Sequence, residues 1–213
     1  MKEKTRGSTV SVLAEIGIIA ALGFVLDELQ SAYSRGLFVN GGSIGFAMLC
    51  VIIVGYRRGF LPALAVGFIM SGLDVLTGPY IVPGSIGRVI LQVGLDYILA
   101  YPVVALGCLF KPLFDKAETK GKQAFYLTLG VLVGGLAKFF VHFLAGVLFY
   151  NDPETFVWGL GGVNAGVYSM LYNGAFMLPC IGLTLAIALA VFFKAPSLYN
   201  DPSAIYRRIA KED

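Results

Sequence analysis

The stretch LAKFFVHFLAGVLFY, residues 136 to 150, is apolar almost throughout, yet it carries Lys138 and the single histidine of the chain, His142, one helical turn apart. Similar interruptions stand elsewhere: Asp96 and Tyr97 in LDY, Tyr168 and Asn173 in YSMLYNG, Tyr150 at the end of the stretch, and Trp158, the only tryptophan. A carboxylate, an ammonium, an imidazole, a phenol and an amide suit a small polar molecule held by charge and hydrogen bonds. They do not add up to a reaction centre. The chain has no G-x-x-x-x-G-K-[ST] loop for ATP and no H-E-x-x-H. One histidine and three scattered cysteines, Cys50, Cys108 and Cys180, make no familiar metal site, and His142 has no serine partner at matching depth, Ser169 being merely near. The expectation is a binding or transport protein, with no enzymatic activity, cofactor or metal.

The elements that position these groups follow from composition. Of 213 residues 57% are hydrophobic and 14% charged, with a mean hydropathy of +0.79, where soluble domains carry about 25% charged residues. This is the composition of a membrane protein. A membrane helix needs about 20 mostly apolar residues, and six segments meet this: 9–27, 43–56, 60–78, 89–110, 124–149 and 164–193. The start, MKEKTR before an apolar run, resembles a signal peptide, but Glu15 interrupts the run, which reads instead as the first span. Loops rich in Lys and Arg stay in the cytoplasm. With both termini inside, the inner face collects thirteen cations: Lys2, Lys4, Arg6, Arg57, Arg58, Lys111, Lys116, Lys120, Lys122, Lys194, Arg207, Arg208 and Lys211. The outer face keeps two, Arg35 and Arg88. The expected architecture is therefore one all-α membrane domain, residues 1–213, of six helices, with 194–213 a cytoplasmic tail. The net charge of +3 is an orientation signal that calls for the lipid bilayer and no nucleic acid.

Topology then places the polar groups at one depth. Asp96 in the fourth span and His142 in the fifth each fall about 10 Å below the outer face, with Tyr168 about 6 Å and Asn173 about 14 Å down the sixth. Asp74, near the outer end of the third span, could join them. Together they suggest a pocket open to the outside, with the loops GPYIVPG and YNDPETFVWGLGG as an aromatic belt or a lid. Other readings stay open: Asp96 and Lys138 as an ion pair that only fixes packing, Tyr168 and Tyr172 as core or belt aromatics, Asn173 as an interhelical hydrogen bond. Glu15, Asp27 and Glu28 are expected near helix ends, close to water, and carry little weight. Gly17 and Ala21 form a small-x-x-x-small pair that lets another helix approach.

The segments AEIGIIAALGFVL, GYRRGFLPAL, GPYIV, LDY, KFFVHFLAGVLFY and YSMLYNG occur in an order that resembles the thiamin-specific substrate-binding (S) component of energy-coupling factor (ECF) vitamin transporters, over roughly residues 9 to 195. The resemblance implies a six-helix fold in a prokaryotic cell membrane that captures extracellular vitamin, docked on a membrane coupling subunit driven by two cytoplasmic ATPases. It places Asp96 and Tyr97 at the family's carboxylate and following aromatic, Lys138 and His142 at its K-x-x-x-H, and Tyr168 and Asn173 at its Y-x-x-x-x-N. Tyr150 and Trp158 fall where the family has tryptophans. The aromatic from the family's first outer loop has no clear counterpart around Leu37 to Gly42, and the family's A-x-x-x-A docking motif here reads Gly17 to Ala21. An S component for another vitamin, or a self-sufficient ion-coupled transporter with Asp96 and Lys138 relaying protons, are the alternative expectations.

Overall fold

The computed structural model describes residues 2–200, with side chains from residue 9 onward. The elements run α1 (Lys2–Ser34), α2 (Leu49–Arg58), α3 (Phe60–Thr77), α4 (Ile86–Val93), α5 (Lys111–Lys116), α6 (Lys120–Phe149) and α7 (Ala165–Lys194). A π-helical turn, Gly94–Ile98, and a 3₁₀ stretch, Pro102–Phe110, join α4 to α5 into one interrupted rod. Among the described residues five helices are long and apolar enough to cross a membrane: Thr9–Ser34, Phe60–Thr77, Ile86–Lys116, Lys120–Phe149 and Ala165–Lys194. The expected tail lies outside the described residues from position 201.

The helix starts follow capping chemistry: Asn164 accepts from Val167 N–H at 3.0 Å to open α7, and Thr119 accepts from Lys122 N–H at 3.2 Å to open α6. The first span does not stop at residue 27. Polar residues Asp27, Gln30 and Ser34 are buried while Val25, Leu29 and Tyr33 stay exposed, so α1 continues with its polar stripe turned into the bundle and its apolar stripe outward. Asp27 is therefore an interior residue, 8% exposed. At the other end of α1, Glu15 pairs with both Arg57 and Arg58, at the turn between α2 and α3.

The segment expected as the second span departs most. Only Leu49–Arg58 is helical, seven of its residues are buried, and residues 35–48 before it are irregular backbone that runs from the exposed Leu37 and Val39 into the bundle at Ala47 and Met48. Irregular chain at membrane depth is tolerated only where protein or a cavity satisfies its polar groups. Side chains do this here. Gln30 Oε1 accepts from Ala47 N–H at 3.4 Å, Ser34 Oγ from Ile44 N–H at 3.0 Å, and the Tyr172 hydroxyl donates to Gly41 carbonyl at 2.9 Å. Tyr33 donates to the Ile44 carbonyl. Cys180, expected to be a small core residue, accepts from Gly45 N–H at 3.2 Å and donates to Ser43 carbonyl at 3.1 Å.

The far half of the bundle closes by near backbone contact. A Cβ on Gly130 of α6 would stand 2.6 Å from the Gly107 carbonyl oxygen, which leaves room for glycine alone. Below it Tyr56, Phe114, Phe192 and Tyr199 make an edge-to-face aromatic cluster.

Cys180→Ala strands one buried N–H and one buried carbonyl, so thermal unfolding in detergent is expected to show a loss of about 1–3 kcal/mol. Cys180→Ser, which keeps a donor and an acceptor, should recover most of it; equal losses in the two variants would count against the bonds.

Candidate binding site

A cavity of about 580 Å³ opens between α1, the irregular segment 35–48, α3, the π turn, α6 and α7, well within the range of small-molecule sites. Each element contributes a distinct chemistry. The π turn carries Asp96 and Tyr97, its widened helix turning both toward the cavity they line. From α6, His142 Nδ1 lies 3.2 Å from Asp96 Oδ1, with the two side chains 15% and 13% exposed. The edge of His142 meets Phe176 of α7 at a ring separation of 5.8 Å.

One turn lower, Lys138 does not reach Asp96, and the expected ion pair between them is replaced. Its Nζ sits 3.5 Å from the centroid of the Tyr101 ring, and the carboxylates that act on it are Asp27 and Asp74. Tyr101 donates to Asp27, and Gln30 Nε2 donates to the same carboxylate at 2.6 Å. Two polar groups thus line the cavity: Asp96 with His142, and Lys138 with Tyr101, Asp27 and Asp74.

Asn173 lines the wall with its nitrogen already committed. Nδ2 lies 3.0 Å from the Ser169 carbonyl, 3.1 Å from Ser169 Oγ and 3.3 Å from the His142 carbonyl. Two of these acceptors are carbonyls, which fixes the amide orientation and leaves Oδ1 as its acceptor. Tyr168 is buried with one face covered by Phe156, rings 3.8 Å apart and 2° from parallel. Its hydroxyl accepts from Asn40 Nδ2 at 3.1 Å, and Asn40 also donates to the Thr155 carbonyl at 3.2 Å, clasping the loops before α2 and before α7. Tyr150 stacks on Tyr80 at 6.1 Å and 17°, and burial raises the pKa of its phenol far above the ordinary value.

Trp158 is corrected in position. It is 50% exposed and outside the cavity lining, stacked at 4.9 Å on the outer side of Tyr172, whose ring lines the cavity. It sits at φ 58° beside Gly159 at φ 72°, with Leu160 N–H returning to the Val157 carbonyl at 3.2 Å. This tight turn holds a non-glycine residue in the left-handed region. The loop expected as the first outer one does carry an aromatic in the wall: Phe38 is buried, lines the cavity and packs edge-on to Trp158 at 5.8 Å and Phe176 at 5.5 Å. The sequence reading also missed Asp27, Asn40 and Tyr80 in the cavity wall, where Tyr172, read as a core or belt aromatic, stands as well. Asp27 carried a usable signal, an acid inside an apolar run, because intramembrane charges face cavities; the others had none without their partners.

The comparisons with known proteins fall on this whole arrangement. Residues 13–200 match the family described as thiamine transporter protein. The chain belongs to that family. It is 32% identical over 192 residues to the thiamine transporter ThiT of Lacticaseibacillus paracasei, covering 88% of this chain and 90% of the relative. Identity to the ThiT of Bacillus subtilis is 25% over 200 residues, covering 90% and 95%. A solved structure of ThiT from Listeria monocytogenes superposes with a TM-score of 0.74 at 26% identity, over 91% of this chain and 99% of that one. As a member of the thiamine transporter family the chain is a multi-pass membrane protein with a transport function and no enzymatic one.

Tyr101→Phe should cost about 1–3 kcal/mol in detergent unfolding, because Asp27 loses a donor while the ring under Lys138 remains. Tyr101→Leu removes the ring as well and should cost about 0.5–2 kcal/mol more; the order of the two melting temperatures is the check.

Proposed function

We propose that the protein is a thiamin-binding S component that captures extracellular thiamin in the cavity and passes it inward through a membrane coupling subunit and two cytoplasmic ATPases. The observation that carries the ligand reading is the Asp96 and His142 pair framed by Tyr97, Tyr150, Tyr168 and Phe176 in one cavity. Thiamin joins a thiazolium cation to an aminopyrimidine. The cation is stabilised by Asp96 and by ring faces at about 0.5–2 kcal/mol per contact, while Asn173 Oδ1 and the tyrosine hydroxyls suit the pyrimidine edge. Lys138 balances the carboxylates of Asp27 and Asp74, and Trp158 backs the aromatic wall from outside.

The outward-facing assignment rests on charge. The cavity lies at the end of the bundle that carries loops 78–85 and 150–164, and Arg57, Arg58, Lys111, Lys116, Lys120, Lys122 and Lys194 gather at the opposite end. Cationic loops remain cytoplasmic, so the cavity end is the outer one. In this reading residues 43–58 make a sixth crossing, half irregular and half α2, and both termini are inside. Docking falls to α1: Gly17 and Ala21 are exposed, and a Cβ on Gly17 would meet nothing within 4 Å. A second helix can approach closely along that face.

Thiamin added to the purified protein is expected to change Trp158 fluorescence through Tyr172 and to raise the melting temperature. No response to micromolar thiamin, with a response to riboflavin, would move the assignment to an S component for another vitamin. Asp96→Asn should weaken thiamin by roughly ten- to a hundredfold and the neutral aminopyrimidine much less; equal effects would sink its role toward the cation. Gly17→Trp should abolish co-purification of a coupling subunit with its two ATPases while leaving thiamin binding intact. Ion-driven uptake into liposomes by the chain alone would overturn the docking account.

A further inference from the structure

Gln92 lies on α4 just before the π turn and is fully buried, at 0% exposure. Its carboxamide bonds three ways. Oε1 accepts from Val82 N–H at 3.0 Å, and Nε2 donates to the Tyr80 carbonyl at 2.9 Å and to the Tyr150 hydroxyl at 2.9 Å. A main-chain N–H only donates and a main-chain carbonyl only accepts, so residues 80 and 82 leave the amide a single orientation. The donor end must face Tyr150.

That orientation decides the polarity of the next bond. The Tyr150 oxygen accepts from Gln92, so its own proton is left for another acceptor, and the carboxylate that shares its stretch of cavity wall is Asp96. Asp96 has His142 Nδ1 3.2 Å away, and Tyr150 lines the same cavity. The same amide anchors Tyr80, whose ring stacks on Tyr150 and whose N–H lies 2.6 Å from the Tyr97 hydroxyl. One buried side chain therefore ties the outer loop, a ring face and a carboxylate into one unit.

We propose that Gln92 is a positioning residue of the binding site, which holds the Tyr150 ring against Tyr80 and turns the Tyr150 hydroxyl proton onto Asp96, so that ring face and carboxylate stand together for a cationic ring. This rests on the thiamin reading above. Gln92 touches no ligand in this account. Its effect passes through Tyr150, and a residue of purely structural value would lower stability and all ligand affinities alike.

The test is a double-mutant cycle on purified protein, with thiamin and its neutral aminopyrimidine half as probes and binding read by calorimetry. Gln92→Met is expected to weaken thiamin roughly ten- to a hundredfold and the neutral pyrimidine by much less. Tyr150→Phe removes the hydroxyl that Gln92 addresses, so in that background Gln92→Met should add far less than it does alone. Effects that multiply to within about twofold, or equal losses for the two probes, would overturn the proposal. Should Gln92→Met not yield folded protein, Tyr150→Phe alone decides: it keeps the ring and the bonds of Gln92 to residues 80 and 82, and unchanged preference for thiamin over the pyrimidine would overturn the proposal. Wild-type protein that binds no thiamin would overturn the functional reading and this inference with it, whereas tight wild-type binding with an additive cycle removes the inference alone.

Discussion

Backbone polar groups buried inside a bundle have no water to turn to, and the inner part of segment 35–48 is where this protein meets that constraint. A helix satisfies itself; this segment does not, and neighbouring side chains bond to its backbone: Gln30, Tyr33 and Ser34 from α1, Tyr172 and Cys180 from α7. The segment can therefore leave the lattice of close-packed helices and line a cavity instead of filling it. It contributes Phe38, Asn40 and a run of glycines to the wall. A regular second helix would have placed a rod of side chains there.

The same economy governs the charges. An unpaired ion in hydrocarbon is costly, and the cavity lets its ionisable groups sit beside partners and space for water or ligand. Asp96 is paired with His142, Lys138 rests on the face of Tyr101, and Asp27 is shared by Tyr101 and Gln30. These contacts hold the groups apart in two sets, which leaves Asp96 beside the aromatic wall and Lys138 deeper, beside Asp27 and Asp74. Glu15, Arg57 and Arg58 make a third set at the opposite end, where they bind the start of α1 to the turn after α2.

Much of this was legible before any coordinates. Long apolar runs have one solution in a bilayer, so α3, α6 and α7 follow the expected spans closely, and the shared depth of Asp96, His142, Tyr168 and Asn173 foretold that they line one cavity. Misreadings arose where a residue's meaning depends on a partner distant in sequence. Asp27 looked like a helix end because it breaks an apolar run, yet the run continues on the other face of the same helix. Lys138 and Asp96 looked like an ion pair because opposite charges at similar depth attract, but rotation about the helix axes turns Lys138 toward Tyr101. Trp158 looked like a pocket wall by type, and the turn at residues 157–160 places it one layer out.

The sequence by itself determined that this is a membrane bundle, which end is rich in cations, which polar residues share a depth and which family the chain resembles. These follow from hydropathy, charge and local spacing, properties each segment carries alone. Only the tertiary structure decided that residues 43–58, expected as the second span, are half irregular, that Cys180 and Tyr172 bond to the backbone at residues 41–45, that Phe38 supplies the loop aromatic, and that Gln92 joins Tyr80, Val82 and Tyr150. Hydrogen bonds and ring contacts between residues far apart in the chain, such as the 137 positions from Cys180 to Ser43, depend on how helices rotate and approach. No periodicity within one segment encodes that.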